Sequence, residues 1–260
     1  VIARELFELS LLGGAVERQW RRTRPDIARL PWRQLATVRL EPARLSAAQR
    51  FWTQMALQEH RTAAGAAATV QALIGARAPI DLVAHAARFV TDELAHVELC
   101  ARVAAGLGGA PPLAYDGAQL VPSASPSLSP LGRAAELVVR IYCVGEALSL
   151  PMQQATARSQ THPLLAGVVR RLARDEAGHA AFGWLFFDWA APLVDGEEWT
   201  HLRAVASDAL AQVTALIESA GEDEVVESFG WLPRARWKKV ARQALDEDVQ
   251  VPLRARRLID

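Results

Sequence analysis

The strongest constraint on this chain is a set of acidic and imidazole side chains standing where a helix ordinarily buries hydrocarbon. The segment LARDEAGHAAFG, residues 172–183, places Asp175, Glu176 and His179 among Leu172, Ala173, Ala180 and Phe182. VTDELAHVELC, residues 90–100, has the same form, with Asp92 and Glu93 followed by His96. One Glu-x-x-His on a helix is ordinarily a surface pair, but two of them, each inside an apolar stripe, demand partners. Glu59 lies in the stripe of Trp52, Met55, Ala56, Ala63, Ala66 and Val70, and Glu146 in that of Ala135, Val139, Tyr142, Cys143 and Leu150. The order Glu, then Glu-x-x-His, therefore occurs twice.

Helical periodicity sets the frame for these residues. Residues 1–45 read as a short helix and an irregular arm punctuated by Pro25, Pro31 and Pro42. Four long helices are expected over 46–190: from an N-cap at Ser46 to about Gly75, Asp81 to Ala105, Leu131 to Ser159, and Pro163 to Trp189. Pro151 is expected to kink the third just past Glu146. Two further helices, near 197–219 and 233–257, fill a C-terminal section of residues 191–260. No alternating strand pattern is present, so the fold class is all-α. The Gly-, Pro- and Ser-rich run at 106–130 is a long crossover between the second and third helices.

Spacing turns the list into geometry. From Glu59 the first helix continues about 15 residues, and the second returns about 13 to Glu93, roughly 20 Å each way. The distances from Glu146 out and back to Glu176 match similarly, so all six side chains can converge midway along a four-helix bundle. A crossover of this length can span the roughly 40 Å such a bundle requires. Four carboxylates in an apolar core are tolerable only if neutralised, because each unpaired buried charge costs several kcal/mol. No Lys or Arg lies on the inward stripes, which leaves protonated carboxyls or bound cations. Two divalent ions balance four carboxylates, and mixed His and carboxylate ligation suits iron or manganese.

On these motifs the chain resembles the ferritin-like di-iron (or di-manganese) carboxylate proteins over about residues 46–190. RDEAGH is similar to the second motif of ribonucleotide reductase small subunits, and TDELAH to the motifs of bacterial multicomponent monooxygenases. The resemblance implies a ferritin-like bundle whose metal ligands are Glu59, Glu93, His96, Glu146, Glu176 and His179. It also implies that Asp92 and Asp175 each hold a ligating imidazole by its remaining N–H. Reductases carry a radical tyrosine four residues past the first motif's His and methane monooxygenase hydroxylases a cysteine; here it is Cys100. Leu172 stands where some N-oxygenases add a third histidine. Tyr142, Cys143, Gly145 and Phe89, with Cys100, are candidates to line a pocket, although Tyr142 and Cys143 read more readily as core. Gly145 and Gly183 read either as space beside the metals or as close helix packing. His60, His85, His162 and His201 read as structural or exposed.

The function expected is an O2-dependent di-iron oxygenase or oxidase that hydroxylates, desaturates or N-oxygenates a small organic substrate. Iron, manganese or a mixed pair would serve as cofactor. With no dinucleotide fingerprint or cysteine cluster in the chain, electrons are expected from a ferredoxin or flavin reductase. Metal storage, a di-manganese catalase-like activity and, less favoured, tRNA hydroxylation are the alternatives. Acidic and basic residues balance at 29 each, which argues against a nucleic-acid or membrane partner. Cys100 and Cys143 cannot form a disulfide framework, and the opening VIARELFELSLLGG lacks a basic segment before its apolar part. A cytoplasmic protein is expected, with a homodimer as the candidate assembly.

Overall fold

Helix α3, Pro42–Gly75, begins one turn before the expected Ser46. Pro42 takes the first helical position, where its missing N–H is harmless. Ser46 lies within the helix and accepts a hydrogen bond from Arg50 at 2.6 Å. At the other end Arg77 adopts a left-handed φ of 53°. Its N–H bonds to Ile74 and that of Ala78 to Leu73, a Schellman closure. This tight stop turns the chain straight into α4, Ile80–Gly106, which packs along α3.

In the computed structural model, which describes residues 4–109, 111–219, 229–230 and 232–260, the chain is all-α apart from one small ribbon. Before α3 come β1 (Arg4–Leu6), α1 (Gly14–Arg22), α2 (Pro25–Ala28) and a 3-10 segment, Trp32–Thr37. After α4 the crossover carries β2 (Ala114–Asp116), antiparallel to β1 with Glu5 opposite Tyr115. This ribbon corrects the reading of 1–45 and 106–130 as strandless: three residues per strand are too few for alternation to register. The crossover is fastened where Glu136 accepts from Ser125 N–H and Glu198 from Ser129 N–H.

The third long helix is continuous but not uniform. It runs as α5 (Pro130–Val138), a π-helical segment (Val139–Glu146) and α6 (Ala147–Ser159). The expected irregularity therefore lies before Glu146, as a wide π turn, with Pro151 inside α6. α7, Pro163–Ala190, returns alongside it. α8 (Gly196–Ser219) packs on α5 and the π segment, and α9 (Arg234–Ala244) on α6, followed by a second π turn (Leu245–Gln250) and α10 (Val251–Ala255). Among the described residues no helix is long and apolar enough to cross a membrane.

The apolar interior falls into two clusters. One contains Phe89, Tyr142, Cys143, Phe182 and Phe186; the other contains Trp52, Leu99, Cys100, Leu165 and Leu172. Along α3, α4 and α7, the Glu and His positions lie at the boundary where one cluster gives way to the other. Packing is close at Gly183, where an added Cβ would lie 2.6 Å from Cys143 Sγ and 3.0 Å from its backbone nitrogen. Gly145 has no such neighbour: its nearest atom would be the Arg140 carbonyl oxygen at 3.4 Å. Gly183 is thus a packing glycine and Gly145 is not. Gly183→Ala is expected to destabilise the protein by about 1–3 kcal/mol through overpacking, with Gly145→Ala near neutral, as read from urea denaturation midpoints.

Candidate metal centre

Glu59 comes from α3, Glu93 and His96 from α4, Glu146 from the last position of the π segment, and Glu176 and His179 from α7. None of the six is more than 5 % exposed. They form two overlapping groups, Glu59–Glu93–His96–Glu176 and Glu93–Glu146–Glu176–His179. In each group the ligand-capable atoms lie within 4.8 Å of one another, so either could hold a metal ion. Glu93 and Glu176 belong to both.

The imidazoles face inward by Nδ1. His96 Nδ1 lies 3.5 Å from Glu93, 3.6 Å from Glu176 and 3.7 Å from Glu59. His179 Nδ1 lies 2.9 Å from both Glu93 and Glu176. Both Glu93 oxygens and His96 Nδ1 are buried without a hydrogen bond, which is costly unless something else satisfies them. Oxygen and nitrogen donors of this kind, unsatisfied and converging, fit divalent cations well.

The outward nitrogens show a crossed arrangement. His96 Nε2 meets Asp175 Oδ2 at 3.1 Å, so the aspartate of the second motif holds the histidine of the first. Reciprocally, Asp92 of the first motif stands 3.7 Å from His179 Nε2. Each aspartate also meets an arginine one helical turn earlier: Arg88 reaches Asp92 at 3.2 Å, and Arg171 pairs with Asp175. Arg171 also bonds Asp26 at 2.6 Å, tying the N-terminal arm to this shell. The inward stripes carry no arginine, but their flanks do. The repeat is longer than Asp-Glu-x-x-His: an Arg stands four residues before each Asp, a regularity that the sequence itself carries. Gln153, a further residue the motifs do not reveal, donates to Glu176 Oε1 at 3.1 Å.

Burial and mutual repulsion sort the carboxyls into two kinds. Desolvation pushes Glu59 up to about 8, and pushes Glu146, which also faces Glu176, well above its usual range. Burial acts the same way on Glu93 and Glu176, but the neighbouring imidazoles outweigh it in both, and Glu176, with a further hydrogen bond from Glu146, is held at about 2. Burial disfavours the imidazolium of His179, yet its contacts with Asp92, Glu176 and Glu93 push it up to about 12; His96 is raised likewise by Glu93 and Glu59. Without cations the cluster balances itself with two protonated carboxyls, two carboxylates and two imidazolium ions.

A cavity of about 540 Å³ reaches the cluster at Glu59, Glu146 and Glu176. Its walls come from α3, the π segment, α6, the crossover and the C-terminal helices, through residues such as Met55, Thr62, Gly145, Met152 and Trp237. Of the expected pocket residues, Gly145 faces this cavity. Phe89, Tyr142, Cys100 and Cys143 do not line it; they are fully buried in the two core clusters. The Phe89 and His179 ring centroids lie 4.2 Å apart at a tilt of 56°, and Tyr142 and Phe182 pack behind Phe89, closing this side with hydrocarbon. The remaining histidines lie elsewhere: His60 against Phe7, His85 against Phe89, His162 against Phe229, and His201 bonded to Glu136. In comparisons with known proteins, no family model, curated protein or solved structure matches this chain.

The protonation pattern has a direct consequence for stability. Glu59 holds its proton to about pH 8 when folded but releases it near 4.5 when unfolded, so this group destabilises the fold as pH rises through that window. The raised imidazoles act in the same direction: what their charge contributes is complete below about 6.5 and is lost as pH climbs, for His179 toward about 12. Glu93 and Glu176 have the opposite sign, contributing above 4.5 and failing as pH falls, for Glu176 toward about 2. The chelated protein is expected to melt highest near pH 5 and progressively lower toward pH 8 by scanning calorimetry. Saturating divalent cation should remove that decline, with release of about four protons per chain in calorimetry across buffers of different ionisation enthalpy.

Proposed function

We propose that this chain is a ferritin-like di-metal carboxylate enzyme that activates dioxygen to oxidise a small organic substrate. The observation that carries the reading is the pair of overlapping ligand groups that share Glu93 and Glu176. Glu59, Glu93, His96 and Glu176 would hold one ion and Glu93, Glu146, Glu176 and His179 the other, with Glu93 and Glu176 common to both. Four carboxylates and two divalent ions sum to zero, which removes the cost of burying them. Iron is the metal proposed, with manganese or a mixed pair as the alternative. Such a pair, when bound, would supply the electrons that reduce dioxygen.

The chain's own residues do the positioning. Asp175 fixes His96 through Nε2, leaving Nδ1 to face the carboxylates, and Arg171 holds Asp175 in turn. Asp92, steadied by Arg88, faces His179 Nε2 at 3.7 Å and is assigned the corresponding role there. Gln153 orients Glu176 by its amide N–H. Phe89, Tyr142 and Phe182 exclude water on one flank. On the other, the cavity beside Glu59, Glu146 and Glu176 offers a place for a substrate, which favours oxygenation over storage. Replenishing electrons are assigned to a separate ferredoxin or flavin reductase.

Anaerobic titration with ferrous ion should load two irons per chain, and exposure to oxygen should then consume dioxygen in a single turnover. Glu176→Ala should lose most of the bound iron with its helical circular dichroism preserved; full occupancy in that variant would remove Glu176 from the ligand set. Asp175→Asn should weaken metal binding by about 10–100-fold, read by competition with a chelator dye.

A further inference from the structure

The cavity that reaches the metal-binding carboxylates is electrically lopsided. Among the described residues its acidic lining residues are Glu59, Glu146 and Glu176, all on its floor, and its cationic ones are Arg61 and Arg140. Arg61 is exposed and makes no ion pair with any described residue. Arg140 shares Glu136 at 3.3 Å, but that carboxylate already accepts from Ser125 N–H and from His201, so the guanidinium keeps donors to spare. Between rim and floor the wall is largely hydrocarbon, including Met55, Ile141, Leu148 and Met152. Arg140 precedes Glu146 by six residues, at most about 9 Å of helix rise.

We propose that the substrate is a small amphiphilic carboxylate that enters this cavity apolar end first, with its carboxylate held at the rim by Arg61 and Arg140. The inference rests on the functional reading above for what happens at the floor, but its rim and wall stand independently. A metal-loaded floor is neutral overall, since four carboxylates offset two divalent ions, so the rim holds the net positive field. Guanidinium forks bind carboxylates in two parallel hydrogen bonds. One free and one shared fork suit a monoanion better than a dianion. The hydrocarbon body then covers Met55, Ile141, Leu148 and Met152, and the position oxidised is remote from the charged group. Gly145, with no side chain, leaves room beside Glu146 for that end.

The test uses octanoate, octan-1-ol and octylamine as probes of the full chain loaded with manganese(II). Calorimetry should show octanoate binding at one site, with the alcohol and amine much weaker. Arg61→Gln and Arg140→Gln should each weaken octanoate by about fivefold without changing bound manganese, and Arg61→Glu should weaken it further. In carbon-13 relaxation measurements on the bound octanoate, manganese should broaden the terminal methyl more than the carboxylate carbon. Equal binding of the alcohol or amine, indifference to the arginine variants, or strongest broadening at the carboxylate carbon would each overturn the proposal. If neither manganese(II) nor, under anaerobic conditions, iron(II) binds, the functional reading fails by itself. The probe preference of the metal-free chain, with its dependence on Arg61 and Arg140, then decides the present inference alone.

Discussion

Six ionisable side chains packed into the middle of a helical core are the constraint around which the remaining structure is organised. Hydrocarbon on either side cannot solvate them, and water is kept out by Phe89, Tyr142 and Phe182 on one flank. Their charge must be cancelled locally, by protons in the metal-free state and by divalent cations in the state proposed to function. Either way the cancellation has to be nearly complete, because one uncompensated charge would consume a large part of a stability margin on the order of 5–15 kcal/mol. The division of the core into two apolar clusters follows from this belt, which interrupts the hydrocarbon at one level of α3, α4 and α7.

Around that belt lies a second layer of charge with its own logic. Arg88–Asp92 and Arg171–Asp175 are pairs along single helices, but each aspartate serves the histidine of the other helix. The crossing couples α4 to α7 through one hydrogen bond, His96 to Asp175, and one longer polar contact, His179 to Asp92. A histidine held from a neighbouring helix reports any slip between the two, so ligand orientation and helix register are set together. Asp26, bonded to Arg171, extends this layer to the N-terminal arm. The arm is fastened again where Glu98 pairs with the buried Arg24 and accepts from Trp20 at 2.9 Å.

Access is governed by the least regular helix. The π segment ends on Glu146, and its Gly145 opens onto the cavity beside that carboxylate. A wider turn changes which side chains face inward, and π turns in helices are often found at functional sites. The crossover and the C-terminal helices close the cavity through Leu120, Leu216 and Trp237. Segments outside the four long helices thus shape the approach to the carboxylates while contributing none of them.

Periodicity and spacing alone were sufficient to find the long helices, the level at which Glu59, Glu93, Glu146 and Glu176 meet, and the two histidines that join them. Those features depend on local geometry: a fixed rise per residue converts counts along the chain into distances, and buried charge in an apolar stripe identifies itself. Even the Arg-x-x-x-Asp-Glu-x-x-His repeat was present to be read. What required the folded molecule was everything that depends on which side chain of one helix meets which of another. The crossed aspartate–histidine pairing, the π turn before Glu146, the three-residue ribbon and the rim formed by Arg61 and Arg140 all come from contacts between segments distant in sequence. No count along a single helix encodes them, because they follow from how helices rotate against their neighbours to fill space.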